Sequence, residues 1–531
     1  MHHVTARAGR RAILSGGAAA LIALALWAQP AQAQSGATQR AVDLAVSGLG
    51  GEEALQDLES FRLRATGQTF IFDEGREPGD TVSPASTFRV RLDYDIRGAG
   101  DRLRADSVRT SVGTDRPVSE VVVGRRGFIS GNDANFAPPA DKPMSSDRWA
   151  AITREQRLLN PHLYVRPLLA RPGLASVSGS QSLRGRRHRV LVVRGDVAPV
   201  RLLVDSRTGR IDRLTTVDHN ENRGDVETIV DYRGWRRAGA RVWFPRRVTI
   251  TQDGQVLHRE TRTVMRANVG IPAARFAFPS GVSATYDAAL ADRGARETEW
   301  LMTFAHLGFI KDGPATQIAP RVVAPGSTLI QGIANQSMVI EQQDGIVVAE
   351  GALSSARAEA LIAYIQANYP GKPIRYVTGS HHHADHSGGM RPFVALGARP
   401  VVHANAVPFF TDVFANRDST LLKDRLDDST APANILAVPP TGTVTLDDPV
   451  RPVIVLAEPT DHATTTILVY VPSEGVLFVN GDTYTPATPP GPGARTLDQT
   501  IQANGLTVNW IVGGHGGVIS YADFKAAIAA S

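Results

Sequence analysis

Apolar and polar residues alternate along several short segments in the first half of the chain. The alternation is clear at residues 61–66 and 88–94, and it recurs over a shorter span at 248–251. A period of two is typical of half-buried antiparallel strands, because successive side chains point to opposite faces of the sheet. Glycine and aspartate turns separate these segments. Residues 34–285 are therefore predicted to form a mainly antiparallel β domain, which opens with a short helix at 41–58.

Residues 311–531 follow another pattern, in which short apolar strands alternate with amphipathic helices. Behind a capping Ser354, apolar residues recur at helical spacing at positions 358, 361, 362 and 365. The next apolar strand is predicted at 374–378. This alternation indicates a layered α/β domain. A connecting helix at 286–310 is predicted to join the two domains.

The first 33 residues have the composition of an export signal. A basic start is followed by an apolar stretch at 18–28 and by Ala31-Gln32-Ala33. This order predicts a signal peptide that is cleaved before Gln34. The apolar stretch is shorter than the roughly 20 residues that a membrane helix needs, so no membrane span is expected. The protein is predicted to be periplasmic or secreted, with either an ordinary or a twin-arginine signal at Arg10 and Arg11.

Composition excludes several classes of function. The chain has 531 residues and no cysteine, which rules out a disulfide framework, a thiolate zinc site and a cysteine nucleophile. The formal net charge is only +5, and Arg7, Arg10 and Arg11 of the export segment contribute to it. No concentrated basic face is evident, so no nucleic-acid partner is expected.

A histidine cluster follows the predicted strand at 374–378. It reads His381-His382-His383-Ala384-Asp385-His386. Alternate side chains of an extended segment point the same way, so His381 and His383 can bind one ion together. Asp385 and His386 lie past the strand end and can bind a second ion nearby. Neutral imidazole and carboxylate are common ligands of divalent metals, so this segment is the candidate metal site.

The His-x-His-x-Asp-His pattern after a strand resembles the signature of the metallo-β-lactamase superfamily, whose fold is an αββα sandwich. Further motifs of that superfamily follow in order, each after a predicted strand: Asp461-His462, Gly481-Asp482 and Gly514-His515. The resemblance implies two metal sites with one shared ligand. The first ion has His381, His383 and His462; the second has Asp385, His386 and His515; Asp482 is shared.

Other residues near the motifs are candidates for supporting roles. Where the superfamily usually has an aspartate that orients a ligating histidine, this chain has Glu350, which can make the same hydrogen bond from one methylene further away. His382 and Tyr484 lie near the site by sequence position, so each is a candidate to bind substrate or donate a proton. Asp385 is counted both as a ligand and as a catalytic candidate. His403 is expected to lie behind the site.

The resemblance implies an exported binuclear hydrolase. Two zinc ions are expected, with iron or manganese as alternatives, and a hydroxide shared by the ions would attack a small-molecule ester, lactone, thioester, amide, or sulfate or phosphate ester. Two other functions remain open. One is a mono-iron enzyme on the same scaffold that oxidises persulfides. The other is a non-catalytic periplasmic protein that binds lipid or lipoprotein.

The first domain resembles the β half-barrel of lipoprotein carriers. The resemblance rests on Gly50-Gly51-Glu52-Glu53-Ala54-Leu55 at the end of the opening helix and on the closing Trp243-Phe244-Pro245-Arg246. Half-barrels of this type expose an apolar face that can hold an acyl chain, which implies lipid or envelope contact. The alternative is that elements of the chain itself cover that face.

Overall fold

The computed structural model describes most of the chain after residue 34. The described residues are 35–80, 84–97, 101–111, 113–135, 137–239, 241–309, 313, 315–332, 334–458, 460–486 and 488–531. The signal peptide predicted at 1–33 lies outside them. Among the described helices, none combines the length and the apolar character needed to cross a membrane.

The first domain is built on one antiparallel sheet of 13 strands, in the spatial order β6-β5-β4-β3-β2-β1-β15-β14-β11-β10-β9-β8-β7. The alternating segments predicted from the sequence lie in β1, β2 and β14, and β12 and β13 form a separate small ribbon. The strands are β1 Ser60–Thr69, β2 Ser86–Asp95, β3 Arg102–Ser111, β4 Thr114–Val123, β5 Arg126–Gly131, β6 Ala140–Pro143, β7 Ala175–Leu183, β8 Arg186–Val193, β9 Val200–Asp205, β10 Ile211–Asn220, β11 Gly224–Arg233, β12 Arg236–Ala238, β13 Val242–Phe244, β14 Arg247–Gln252 and β15 Gln255–Ala267.

Six helices accompany this sheet: α1 Ser35–Leu49, α2 Glu52–Gln56, α3 Ser146–Leu159, α4 His162–Ala170, α5 Ala288–Arg296 and α6 Thr298–Leu307. The opening helix predicted at 41–58 is divided into α1 and α2, because Gly50 and Gly51 adopt positive φ angles of 136° and 98°. The connecting helix predicted at 286–310 is also two helices. Its break falls at Glu297, whose φ and ψ of −115° and 40° are not helical.

Helices α3 and α6 pack on the sheet. Ile152 of α3 and the apolar residues Trp300 and Phe304 of α6 join one buried cluster with Phe61 and Leu92 of the strands. A cavity of about 50 Å³ remains among these elements, which is space for a water molecule or two rather than for an acyl chain. The chain's own helices therefore fill the interior beside the sheet, and the resemblance to a lipoprotein carrier stays a prediction.

The second domain is a sandwich of two sheets, which confirms the predicted fold class. Strands β16 to β22 form one sheet and β23 to β28 the other. Apolar side chains such as Ile340 and Val401 of the first sheet meet Val455 and Phe478 of the second. Helices α7, α9 and α10 cover the outside of the first sheet, and α11 and α12 cover the second. These layers give the order αββα.

The elements of the second domain have these bounds. The strands are β16 Ala319–Ala324, β17 Ser327–Gln331, β18 Ser337–Glu341, β19 Ile346–Ala349, β20 Ile374–Thr378, β21 Arg399–His403, β22 Leu436–Val438, β23 Thr443–Leu446, β24 Val453–Ala457, β25 Ile467–Val471, β26 Val476–Val479, β27 Trp510–Gly513 and β28 Gly517–Ser520. The helices are α7 Ser355–Asn368, α8 Ala384–Ser387, α9 Met390–Ala395, α10 Val407–Ala415, α11 Pro492–Ala503 and α12 Tyr521–Ala530. The histidine cluster follows β20, and the later motifs follow β24, β26 and β27, so loops at strand ends carry the candidate ligands.

Candidate metal centre

Three imidazole rings converge at one edge of the sandwich. His462 Nε2 lies 3.2 Å from His381 Nε2 and 3.0 Å from His383 Nδ1. His381 and His383 reach this point because they stand two residues apart on the extended segment after β20. His462 reaches it from the loop after β24. The three nitrogens lie close enough to share one ion.

A second group of ligand atoms lies beside the first. Asp385, His386 and His515 place one ligand atom each within 4.8 Å of one another. His386 Nε2 is 3.3 Å from Asp385 Oδ2, and His515 Nε2 is 3.8 Å from the same oxygen. The short helix α8 carries Asp385 and His386, and His515 follows β27.

Asp482 stands between the two groups. Its Oδ2 lies 3.1 Å from His386 Nε2 of the second group and 3.4 Å from His462 Nε2 of the first. The same oxygen is 3.9 Å from His381 Nε2. One carboxylate oxygen thus faces ligand atoms of both groups, which is the position of a shared ligand.

Local structure after β26 fixes the position of Asp482. Asn480 Oδ1 accepts hydrogen bonds from the backbone N–H groups of Asp482 at 2.6 Å and Thr483 at 2.8 Å, which is an Asx turn. Gly481 allows the close approach of His515, because a Cβ atom at that position would lie 2.2 Å from His515 Cδ2. The strand end therefore turns sharply and presents the carboxylate to the histidines.

Oxygen acceptors orient three of the rings through the nitrogen that faces away from the centre. His383 Nε2 donates to the Gly75 carbonyl oxygen at 2.8 Å, and His515 Nδ1 donates to the Ala334 carbonyl oxygen at 3.0 Å. His386 Nδ1 is hydrogen-bonded to Glu350 Oε1. A ring that donates from one nitrogen keeps the lone pair of the other free for a metal. Glu350 occupies the supporting place expected for it.

The electrostatics of the centre keep most ligand atoms deprotonated. Burial and the neighbouring imidazoles lower the pKa of His381, and burial and His462 lower the pKa of His383 to about 4. Burial alone would raise the pKa of Asp482, but hydrogen bonding and attraction to His386 outweigh it and lower that pKa. The pKa of His386 is raised, because Asp385 and Glu350 outweigh the opposing effect of burial.

The donor set fits divalent metal ions. Three ring nitrogens meet at 3.0 to 3.2 Å, and two of these rings have pKa values below neutrality. Ligands must be deprotonated to bind, and His381 and His383 meet this condition at neutral pH. Three imidazoles with a further open position are also a known ligand set of catalytic zinc. His381, His383 and His462 could hold one ion, Asp385, His386 and His515 the other, with Asp482 between them.

The family match covers all of these candidate ligands except His515. Residues 331–498 match the family model of the metallo-beta-lactamase superfamily. The C-terminal domain is a metallo-β-lactamase domain. No curated protein matches the chain.

The chain is also similar to solved structures at low identity. A metallo-beta-lactamase from Pontibacter korlensis is 13% identical over 40% of this chain and 98% of that one, with a TM-score of 0.32. The flavodiiron core of Flv1 from Synechocystis is 12% identical over 41% of this chain and 62% of that one, with a TM-score of 0.31. Rubredoxin oxygen:oxidoreductase from Desulfovibrio gigas is 13% identical over 40% and 60%, with a TM-score of 0.31. The chain spans less than two thirds of these last two proteins.

Two catalytic candidates of the metallo-β-lactamase domain lie away from the ligand atoms. His382 is fully buried, and its Nδ1 is hydrogen-bonded to Thr465 Oγ1 at 2.7 Å. Tyr484 packs its ring on Phe524, with centroids 4.8 Å apart, inside the apolar layer under α11 and α12. Side chains alternate in direction along the extended segment after β20. His382 therefore points away from the side on which the candidate ligands His381 and His383 meet. The apolar ring of Tyr484 is buried in the core although its neighbour Asp482 faces the centre.

His403 has a local structural role. It ends β21 and is buried, and its Nδ1 accepts a hydrogen bond from the backbone N–H of Asn405 at 3.1 Å. This bond caps the turn that leads into α10. The structure therefore places His403 outside both ligand groups.

No motif or pattern in the sequence indicated that the first domain reaches the candidate metal centre of the metallo-β-lactamase domain. Glu74, from the segment between β1 and β2, places its Oε2 3.1 Å from His383 Nδ1. Burial and the carboxylates Asp385 and Asp482 raise the pKa of Glu74. Asn222, from the turn between β10 and β11, donates to Ser387 Oγ at 3.0 Å, just after the ligand residues. Neither residue lies in a motif, so no sequence signal marked it.

Proposed function

We propose that the chain is an exported binuclear metal-dependent hydrolase that acts on a small-molecule ester, lactone, thioester, amide, or sulfate or phosphate ester. The observation that carries the proposal is the position of Asp482 Oδ2, which faces His386 at 3.1 Å and His462 at 3.4 Å. A carboxylate between two complete ligand groups supports two neighbouring ions rather than one. A mono-iron function would leave the second group unexplained.

Zinc is the metal that the ligands favour. His381, His383 and His462 form an all-imidazole group, which suits a borderline divalent ion. When bound, such ions lower the pKa of water from 15.7 to about 7 and so supply a nucleophile at neutral pH. This chemistry would explain why no cysteine or serine nucleophile is needed at the site.

The chain's own residues contribute geometry. The Asn480 turn aims Asp482 between the groups, and Glu350 holds His386 through its Nδ1. The carbonyl of Ala334 holds His515 in the same way. Rings that are fixed in this manner lose little freedom on binding, and such supporting contacts are typically worth 10- to 100-fold in metal affinity or activity.

Export is part of the proposal because of the sequence of the first 33 residues. Their basic start, apolar stretch and Ala31-Gln32-Ala33 order support secretion into the periplasm or medium. Sequencing the N-terminus of protein secreted by the expression host would test this part. A mature start at Gln34 is expected, and an intact Met1 start in the cytoplasm would contradict it.

A substrate panel tests the reaction. Zinc-loaded protein starting at Gln34 should hydrolyse at least one member of a panel of esters, lactones, thioesters, β-lactams, and sulfate and phosphate esters at neutral pH. Asp482→Ala should lose most of that activity, whereas Asp412→Ala, on the exposed side of α10, should keep it. Folded, metal-loaded protein that hydrolyses none of these classes, or an Asp482→Ala variant as active as the wild type, would overturn the proposal.

A further inference from the structure

The segment at residues 70–80 of the first domain lies against the metal centre of the second. It follows β1, and it brings Glu74 and Gly75 to His383. The contact joins residues about 300 positions apart in sequence. Because the segment belongs to the first domain, the motifs of the metallo-β-lactamase domain do not explain its position.

Backbone hydrogen bonds hold the segment on the ligand loops. The Gly75 carbonyl oxygen accepts from His383 Nε2 at 2.8 Å, and the Arg76 carbonyl oxygen accepts from the Thr464 N–H at 3.0 Å. The first bond fixes His383, a ligand of the first ion, and the second lies two residues after His462. The segment therefore touches both loops that form the first ligand group, the one after β20 and the one after β24.

Asp73 anchors the same segment from its own domain. Arg223 Nε donates to Asp73 Oδ2 at 2.8 Å, and Gln255 Nε2 donates to Asp73 Oδ1 at 2.9 Å. Asp73 itself has a φ of 56°, a conformation that a non-glycine residue keeps only where its surroundings impose it. Contacts to the first domain at Asp73 and to the second domain at Gly75 therefore fix the position of Glu74, which lies between them.

The Glu74 carboxylate lies beside one ligand of the first ion, His383. Its Oε2 lies 3.1 Å from His383 Nδ1, which matches the separation of roughly 3.0–3.5 Å between two ligands that bind one zinc ion at about 2.0–2.2 Å. Its other oxygen, Oε1, is buried without a hydrogen-bond partner among the described residues. Asp385 and Asp482 repel its negative charge and His386 attracts it, so a cation at the centre would relieve the repulsion.

We propose that Glu74 is a metal ligand that the first domain supplies to the metallo-β-lactamase domain, and that it binds the ion held by His383. The inference rests on the proposed metal centre and adds a role for the N-terminal domain. That domain then forms part of the centre itself, through one carboxylate and one backbone carbonyl. A chain with the ligand motifs but without the 70–80 segment would bind the first ion more weakly.

Metal affinity and a metal spectrum test the proposal on the full-length chain. For the spectrum, cobalt(II) is substituted for zinc in the wild type and in three variants, Glu74→Gln, Glu74→Asp and Glu77→Gln. Glu77 lies on the same segment and is exposed, so Glu77→Gln is the matched control. Glu74→Gln should weaken binding of one ion by at least about tenfold in chelator competition and change the cobalt visible absorption. Glu74→Asp should restore part of the loss, and Glu77→Gln should match the wild type.

The outcomes separate this inference from the proposed function. Wild-type protein that binds two ions, together with a Glu74→Gln variant of unchanged affinity and spectrum, would overturn the role of Glu74 and leave the hydrolase proposal standing. Wild-type protein that is folded but binds no ion would overturn both. A Glu74→Gln variant that binds metal more tightly would also contradict the inference, because the carboxylate would then oppose binding. Thermal unfolding of each variant shows whether it is folded.

Discussion

Each domain contains a cluster of carboxylates, and the two clusters are neutralised differently. In the first domain Arg148 is almost fully buried and pairs with Glu120 at 2.8 Å and Asp133 at 2.7 Å. In the second domain Asp385 and Asp482 face imidazole rings instead. Arginine carries a permanent positive charge, whereas imidazole carries one only when protonated. The first cluster is neutralised by its own side chains, and the second calls for added cations.

A third cluster shows why close ligand atoms are not sufficient. His188, Asp205 and Asp212 of the first domain have the spacing of a metal site. Arg186, however, reaches both acids: Nη1 lies 2.8 Å from Asp205 Oδ2, and Nη2 pairs with Asp212. His188 Nε2 also lies 3.0 Å from Asp212. The guanidinium of Arg186, whose side chain is 43% exposed, neutralises both acids in place of a metal ion.

The largest effect is expected from a pair of histidine substitutions that contrasts these clusters. His383→Ala should lose the first ion, and hydrolysis should fall on the order of a thousandfold, because bound metal supplies several kcal/mol of transition-state stabilisation. His188→Ala should keep the metal content of the wild type. Metal analysis and the rate on the best substrate of the panel measure both. Equal metal loss in the two variants would contradict the contrast.

The next effect concerns stability rather than metal. Arg148→Met removes the shared partner of Glu120 and Asp133. Glu120 keeps Arg109 and Asp133 keeps Lys142, so we expect a loss of about 3 kcal/mol in the free energy of unfolding, at the lower end for a broken buried ion pair. Arg189→Met, at an exposed position of β8, should change it by less than about 0.5 kcal/mol. Urea unfolding measures both. An Arg148→Met variant as stable as the wild type would show that the arginine is not what neutralises this cluster.

A smaller effect is expected at the turn that positions the shared ligand. Asn480→Ala removes the acceptor of the Asp482 and Thr483 N–H groups, so the carboxylate loses its fixed direction. Metal affinity should fall about 10- to 100-fold, while the fold persists because β26 itself is unchanged. Chelator competition measures the change, and Asn480→Asp, which keeps the acceptor oxygen, should recover most of it. Loss of affinity in Asn480→Asp equal to that in Asn480→Ala would argue against the turn.

The last effect is a pH dependence of stability. Glu458 follows β24 and is buried, and burial raises its pKa to about 7. Because this pKa is raised in the folded state, the contribution of protonated Glu458 to the free energy of unfolding is fully present below about pH 4.5. It is lost as the pH rises to about 7, by up to about 1.4 kcal/mol per pH unit. Glu458→Gln does not titrate, so its stability advantage over the wild type should grow across that window. Parallel curves for the two proteins from pH 5 to pH 7 would contradict this account.

The resemblance to the metallo-β-lactamase motifs located the candidate ligands, and each motif follows a strand with a clear apolar pattern. His381, His462 and Asp482 could thus be assigned to one edge of the sandwich before the structure was known. Tyr484 could not be placed in the same way. Its position two residues after Asp482 gives proximity along the chain, but the direction of its ring depends on the packing of α12 and Phe524.

Contacts between the domains could not be predicted, because they join residues far apart in sequence. Glu74 lies in a loop without periodicity, and its neighbour Gly75 meets His383 across 308 positions. One connecting helix was predicted at 286–310, but its break at Glu297 depends on tertiary contacts, such as the hydrogen bonds from the Thr298 and Glu299 N–H groups to Asp218 of β10. Periodic patterns identify elements, and only the folded chain shows where their ends and loops meet.

The most direct test of the central claim is the metal content of the mature protein. Protein that starts at Gln34 is purified without added metal, and zinc, iron and manganese are measured per chain by elemental analysis. The account predicts about two zinc ions per chain and fewer in Asp482→Ala. Folded protein with no bound divalent metal would contradict it. So would a single iron that Asp482→Ala leaves in place.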